Sequence, residues 1–160
     1  PVLRLADMYL GYAEALCMCS DLDNALTYLN KIRVRAGIPE YTFTATAGKI
    51  TCPKTQTDLL NRIRRERLVE LVFEWNRYFD VRRWKVAEGQ NDPEHWIYPA
   101  YHTGGEGGKV YGMNMDKDYP AFFERTSFET RVAFTKKQYF MPIPYDDLRR
   151  IPSLVQNLGW

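Results

Sequence analysis

Three glutamates recur at helical spacing near the middle of the chain, and carboxylates in that arrangement can do chemistry. Glu66, Glu70 and Glu74 lie one helical turn apart and therefore share one face of a helix. Paired carboxylates of this kind can serve glycoside hydrolysis, where their separation sets the stereochemical outcome. The surrounding stretch is also rich in arginine, which pairs with carboxylates in a bidentate manner. The arginines are Arg62, Arg64, Arg65, Arg67, Arg77, Arg82 and Arg83.

We call Glu66, Glu70 and Glu74 the glutamate ladder and interpret it as structural. Like charges four residues apart repel each other on an isolated helix, so the ladder requires nearby cations. We expect an ion-pair network that holds this helix to its neighbours, with catalysis by Glu66 or Glu70 as the alternative. The predicted network comprises Glu66, Glu70, Glu74, Arg77 and Arg82.

A second candidate site lies in a glycine-rich stretch that also carries many aromatic residues. Aromatic faces stack on the apolar faces of sugars, and covering ~60–80 Å² of ring contributes about 1.5–2 kcal/mol at ~25 cal/mol/Å². The alternative is that these rings form a small core under the loop. The carbohydrate-binding candidates are Trp96, Tyr98, Tyr101 and Tyr111, and the same set includes Tyr119, Phe122 and Phe123.

Composition and motifs argue against several other functions. A net charge of +2 argues against nucleic-acid binding. His95 and His102 lack a Cys or His at zinc-like spacing, so we predict no metal and no cofactor, although calcium is less firmly excluded. Residues 104–108 contain four glycines but lack the Gly-Lys-Ser/Thr ending of a P-loop. The cysteines, Cys17, Cys19 and Cys52, are predicted to be free thiols.

Periodicity predicts an αα-hairpin at the start of the chain. The first helix covers residues 3–19, and the second is capped by Ser20 or Asp21 and ends before Gly37. Small residues in both helices resemble the packing positions of a tetratricopeptide repeat. A single repeat cannot bury its own apolar face, so further helices must pack against it.

A third helix is predicted from Thr57 or Asp58 to Asn76, followed by a short helix over 77–86. Residues 38–56 are expected to be loop. No run of apolar residues is long enough to span a membrane.

The remainder of the chain is predicted to be a variable loop over 87–133 and a patterned tail over 134–160. The tail is expected to be extended from Phe134 to Met141, with one helical turn near 146–150. We expect residues 1–160 to form one mainly α-helical unit, with a long helix and extended irregular loops. The non-Met start at Pro1 suggests a fragment of a longer chain.

Four blocks in this order resemble the C-terminal part of the SusD/RagB family. They include Tyr12-Ala13-Glu14-Ala15-Leu16 and Tyr139-Phe140-Met141-Pro142-Ile143-Pro144. The second block is 25–37, the third runs from 63–67 through 77–80 to 82–84, and the tail block also includes 152–160. The chain departs from the family pattern at Trp75, where the family often has Gly, at Asn76, where it often has His or another polar residue, and at Ile151 and Leu158, where it often has Asn and Pro.

The resemblance implies an α–α superhelix of tetratricopeptide-like hairpins and a protein that is not an enzyme. Members are outward-facing lipoproteins of the outer membrane, which capture glycans or other nutrients and deliver them to a TonB-dependent transporter of the SusC type. The lipid anchor of members lies N-terminal to the part matched here. The runner-up interpretation is a helical-repeat scaffold that contacts a protein partner without binding sugar itself.

Overall fold

The computed structural model describes residues 4–87, 109–124, 126–130 and 134–160. Its chain divides into two compact units, with the division between Phe79 and Asp80. Trp96, Tyr98 and Tyr101 lie outside the described residues. Each unit is described by itself below.

The first unit is built on three helices. Helix α1 spans Leu5–Met18, α2 spans Leu22–Arg35 and α3 spans Gln56–Glu70. The predicted αα-hairpin is therefore present, and α3 packs against both of its helices. Two small side chains in the hairpin, Ala13 and Ala25, are fully buried and allow close helix approach.

Side-chain caps explain where α2 and α3 begin. The Asp21 carboxylate accepts a hydrogen bond from the Asn24 backbone N–H, so Asp21 and not Ser20 is the N-cap of α2. The Thr55 hydroxyl accepts a hydrogen bond from the Asp58 backbone N–H at 3.2 Å. The cap of α3 thus lies two or three residues before the predicted Thr57 or Asp58, because Thr55 and not these residues has extended backbone.

The core of the first unit lies between the three helices. Its side chains are mostly aliphatic and small, and the most deeply buried of them are Leu10, Ala13, Cys17, Ala25, Leu29, Leu59 and Ile63. Removing this apolar area from water is the main favourable term in packing α3 onto the hairpin.

Residues 38–56, predicted to be loop, contain a short parallel pair of strands. Strand β1 spans Tyr41–Thr42 and β2 spans Ile50–Thr51. The Asn30 side-chain amide accepts from the Tyr41 N–H at 2.9 Å and donates to the Tyr41 carbonyl at 2.8 Å. The Asn30 side chain therefore satisfies both backbone hydrogen-bonding groups of Tyr41. Helical periodicity in the sequence gives no sign of such a contact between a helix and a strand.

Helix α3 ends at Glu70, earlier than the predicted Asn76. Phe73 and Trp75 have φ angles of 66° and 65°, which lie in the left-handed region and are incompatible with a continuing right-handed helix. The chain turns at 71–75 and resumes as α4, Asn76–Arg83. We call residues 71–75 the aromatic turn.

The second unit contains a two-stranded antiparallel sheet within the stretch predicted to be irregular. Strand β3 spans Lys109–Gly112 and pairs with β4, Thr126–Thr130, with an irregularity between Val110 and Tyr111. A Cβ at Gly112 would lie 2.5 Å from the Phe128 ring, so glycine permits this close approach. The prediction of loop was wrong for these residues because strand pairing between distant segments leaves little local signal.

The tail of the second unit is held by its own side chains. Residues 136–139 form a 3-10 helix where an extended segment was predicted, because Thr135 and Gln138 form a capping box. Helix α5 spans Tyr145–Arg150, as expected near 146–150. The Trp160 indole N–H donates to the carbonyls of Lys137 and Phe140 at 2.9 and 3.0 Å, which fixes the final turn.

The prediction of a mainly α-helical chain agrees with five α-helices, two 3-10 helices and two short sheets in the part that the structure describes. In the same part, no helix has both the length and the apolarity to cross a membrane.

Candidate functional site

The glutamate ladder on α3 is engaged by arginines from elsewhere in the first unit. Arg33 on α2 donates to Glu66 at 2.7 Å, and both side chains are buried. Arg35, two residues on, pairs with Glu70. Arg4, at the start of α1, donates to Glu70 at 3.0 Å and to Glu74 at 2.7 Å.

Arg4 lies at the C-terminal end of α3, where it contacts both Glu70 and Glu74. Its guanidinium also donates to the Glu70 backbone carbonyl at 2.8 Å, one of the carbonyls that a helix C-terminus leaves without an intrahelical partner. Hydrogen bonding to the Glu74 carboxylate raises the pKa of Arg4. A cation at this end of the helix also faces the negative pole of its dipole.

The predicted partners Arg77 and Arg82 occupy α4, which follows the ladder. Arg82 lies over the Phe134 ring at 5.2 Å within the second unit. Their membership in the ladder's network stays a prediction. On α3 itself, Arg62 pairs with Asp58 at 2.6 Å and Arg67 pairs with Asp7 of α1 at 3.0 Å.

Sequence reasoning missed Arg4, Arg33 and Arg35 as partners of the ladder. A signal was available for Arg33, which follows Ala25, Leu26, Leu29 and Ile32 along the buried stripe of α2. A charged residue on an apolar stripe requires a buried partner. No local pattern connected Arg4 to Glu74, because seventy residues separate them.

The predicted carbohydrate-binding residues are described only in part. Trp96, Tyr98 and Tyr101 lie outside the described residues, and Tyr111 is described only as a backbone position in β3. Of the same aromatic set, Tyr119 and Phe123 are exposed and stand edge to face at 6.1 Å. The role of these residues in binding sugar stays a prediction.

The aromatic turn presents a further set of exposed rings that sequence reasoning had assigned to helix three. The Phe73 side chain is 97% exposed and the Trp75 side chain is 85% exposed. Leu71 is buried and anchors the beginning of the turn. The glycine that the family often has at position 75 would adopt a φ of 65° without the strain that a tryptophan incurs.

A shallow groove of about 530 Å³ lies along α1 and α2. Lys31 lies over two of its aromatic neighbours, 4.9 Å from the Tyr9 ring centroid and 4.0 Å from that of Tyr28. Tyr12 meets Tyr28 edge to face at 4.7 Å. The groove lining consists of Tyr9, Thr27, Asn30, Lys31, Val34, Arg35 and Glu40.

Buried thiols in the first unit are not activated nucleophiles. Burial raises the pKa of the Cys17 thiol to about 11 and also raises that of Cys52. The Cys17 thiol donates to the Gln56 carbonyl at 3.4 Å. Within residues 4–87, 109–124, 126–130 and 134–160, no cluster of His, Cys, Asp and Glu side chains could hold a metal ion.

Comparisons with protein families and with curated proteins point to the same family. The model of the SusD family matches residues 1–160. A SusD-like protein of Bacteroides ovatus is 29% identical and aligns with 96% of this chain and 28% of its own length. SusD-like protein P2 of Formosa agariphila is 27% identical, with 97% of this chain and 24% of that protein covered.

Solved structures show the same relationship in three dimensions. The crystal structure of a SusD-like protein from Bacteroides fragilis matches with a TM-score of 0.67 and 29% identity, over 99% of this chain and 25% of the other. The predicted fold class is thereby confirmed. The chain spans about a quarter of the length of these relatives.

Proposed function

The chain belongs to the SusD family, and on that premise we propose that it is part of a nutrient-binding protein of an outer-membrane uptake system. In this proposal the protein binds oligosaccharide and delivers it to a TonB-dependent transporter of the SusC type without chemical change. It faces outward from the outer membrane, held there by a lipid anchor. The observation that carries the proposal is the family match over the whole of residues 1–160.

The surroundings of the glutamate ladder support a role in binding rather than in hydrolysis. Each ladder carboxylate is engaged by a guanidinium group, and Glu66 is buried. A glycosidase needs an acid and a second carboxylate that both reach the scissile bond. Carboxylates that hold helices together are poorly placed for that task.

The proposal is tested by isothermal titration calorimetry on the protein expressed as its gene encodes it. We expect a defined gluco-, xylo- or galacturono-oligosaccharide to bind, with a Kd at or below about the millimolar level that two stacking platforms provide. Absence of binding across such a panel, with no transporter gene in the same operon, would overturn nutrient capture.

The contribution of the predicted loop residues is tested in the same experiment. Substituting Trp96→Ala together with Tyr101→Ala is expected to weaken binding by at least about tenfold if both rings stack on sugar. Tyr145→Ala, which removes an exposed ring from α5, serves as the control and is expected to leave the Kd unchanged. Equal affinity of the double variant and the control would remove the loop from the binding site.

A second candidate function is a scaffold that contacts a protein partner, and the outer face of α1 favours it. Leu5, Met8, Tyr12 and Met18 are all at least half exposed on this helix. A helix that is apolar on more than one face is usually covered on each of them. Recovery of the transporter with a protein that binds no oligosaccharide would favour this alternative.

A further inference from the structure

The connection between α2 and α3 meets the buried Arg33–Glu66 pair through one aromatic ring. We call this connection, residues 38–54, the strap. The Arg33 guanidinium lies 4.0 Å from the centroid of the Tyr41 ring and 2.7 Å from the Glu66 carboxylate. Its Nε–H also donates to the Pro39 carbonyl at 2.7 Å. One buried cation therefore holds both a backbone group and a ring of the strap.

A second arginine contacts the same ring from α3. The Arg62 guanidinium lies 4.7 Å from the centroid of the Tyr41 ring and pairs with Asp58 at 2.6 Å. Two cations near one ring repel each other unless their charges are compensated. Arg33 and Arg62 each have a carboxylate partner on α3, so both can take part in a cation–π contact with the ring. We call the Tyr41 ring and these two guanidinium groups the latch.

The two halves of the strap are joined to each other on either side of the latch. The Ile50 N–H donates to the Glu40 carbonyl at 2.8 Å, and the Cys52 N–H donates to the Thr42 carbonyl at 2.8 Å. These bonds pair β1 with β2 around Tyr41. The strands therefore follow the Tyr41 ring when it moves, and the strap behaves as one unit.

The other attachments of the strap to the helices are few within the described residues. Phe43 packs against the core of the first unit and is only partly buried. The Asn30 amide hydrogen-bonds the backbone of Tyr41, and Lys54 pairs with Asp23 where both side chains are exposed. Exposed ion pairs contribute little to stability. Segments with few buried apolar contacts open at a lower free energy than the core does.

We propose that the strap opens as one unit while α1, α2 and α3 remain folded, and that the Tyr41 ring is the part of the latch that keeps it closed. Opening separates the ring from both arginines and admits water to the Arg33–Glu66 pair. It also uncovers Cys52, which is 2% exposed when the strap is closed. This conformational change does not depend on the proposed function.

The Cys52 thiol reports the opening, because burial shields it and also raises its pKa, and both effects slow alkylation. The protein, expressed as its gene encodes it, is alkylated with N-ethylmaleimide without denaturant, and tandem mass spectrometry follows Cys52 and Cys17 separately. Cys17 is fully buried in the core between the helices and reports global unfolding. We expect Cys52 to react faster than Cys17, and more slowly than Cys52 does in urea-unfolded protein.

Two substitutions of one residue test the latch. Tyr41→Leu keeps an apolar side chain but removes the aromatic face, so the Cys52 alkylation rate is expected to rise about tenfold through loss of the cation–π contacts. The rate follows the open fraction as long as the strap recloses faster than the reagent reacts. The Cys17 rate is expected to stay unchanged. Tyr41→Phe retains the ring and is the matched control, expected to react at the wild-type rate.

Four outcomes contradict the inference. Equal alkylation rates of Cys17 and Cys52 in the wild type would mean that the strap opens only when the helices unfold. A wild-type Cys52 rate equal to that of unfolded protein would mean that the strap is not closed. An unchanged Cys52 rate in Tyr41→Leu would remove the ring from the latch. A parallel rise of the Cys17 rate in that variant would assign Tyr41 to the core instead.

Discussion

Glu66, Glu70 and Glu74 have the same side chain and spacing but different surroundings. Glu66 is buried and pairs with a buried arginine, whereas Glu74 is partly exposed. Taking a charge out of water is costly, so a buried pair is stable only while both partners are present. The three glutamates therefore differ in how much the fold depends on each of them.

We predict that Glu66→Ala lowers the free energy of unfolding by about 3–5 kcal/mol, because the Arg33 guanidinium would remain buried without its carboxylate. Urea denaturation followed by far-UV circular dichroism measures the change. Replacing both residues, as Glu66→Met with Arg33→Met, is expected to cost less than the sum of the single replacements.

The control for this prediction is Lys54→Ala, which removes an ion pair to Asp23 whose side chains are 52% and 72% exposed. Exposed pairs contribute less than about 1 kcal/mol. If the two single variants were equally stable, burial of the Glu66–Arg33 pair would be energetically unimportant.

At the scale of elements, α1 and α2 end in the same hydrogen-bonding arrangement with different residues. In α2, Gly37 and Ile38 donate to the carbonyls of Val34 and Arg33, and Gly37 has a φ of 71°. At the end of α1, Ser20 takes the equivalent position with a φ of 65°. Both are Schellman motifs, in which glycine is preferred at the left-handed position.

Introducing glycine at position 20 and removing it at position 37 are predicted to change the free energy of unfolding in opposite directions. Ser20→Gly should raise the free energy of unfolding by about 0.5–1 kcal/mol, since it relieves the left-handed strain. Gly37→Ala should lower it by about 1 kcal/mol, although nothing lies within 4 Å of the added Cβ. Thermal melts of the two variants measure the shifts, and shifts of the same sign would refute the explanation.

The boundaries of helices were predictable only where a local signal marked them. Gly37 marked the end of α2 in the sequence, and the structure shows the expected left-handed cap. The end of α3 carried no such signal, because Phe73 and Trp75 are unusual residues for a left-handed turn. Between these two residues, Glu74 accepts a hydrogen bond from Arg4, which lies seventy residues earlier in the chain and therefore left no local signal.

For the molecule as a whole, we predict binding without turnover. Long incubation with gluco-, xylo- and galacturono-polysaccharides is expected to release no reducing ends above a buffer blank, because the ladder carboxylates are engaged by arginines. Reducing-end assays check this. Release of sugar that Glu70→Gln abolishes would reassign the ladder to catalysis.

The sequence by itself determined the family, the helical class and the hairpin of α1 and α2. Such information is local or repeated: helical periodicity, small residues at close contacts, and blocks of residues in a fixed order. The tetratricopeptide-like hairpin could therefore be recognised from these sequence patterns alone.

Only the tertiary structure decided which charges meet and which rings are exposed. Arg4, Arg33 and Arg35 reach the glutamate ladder because α1 and α2 pack against α3, a fact about contacts between distant residues. Trp75 is exposed because the backbone turns away from the helix that periodicity had extended through it. Pairing and exposure depend on packing in three dimensions, whereas residue patterns describe the preferences of short segments.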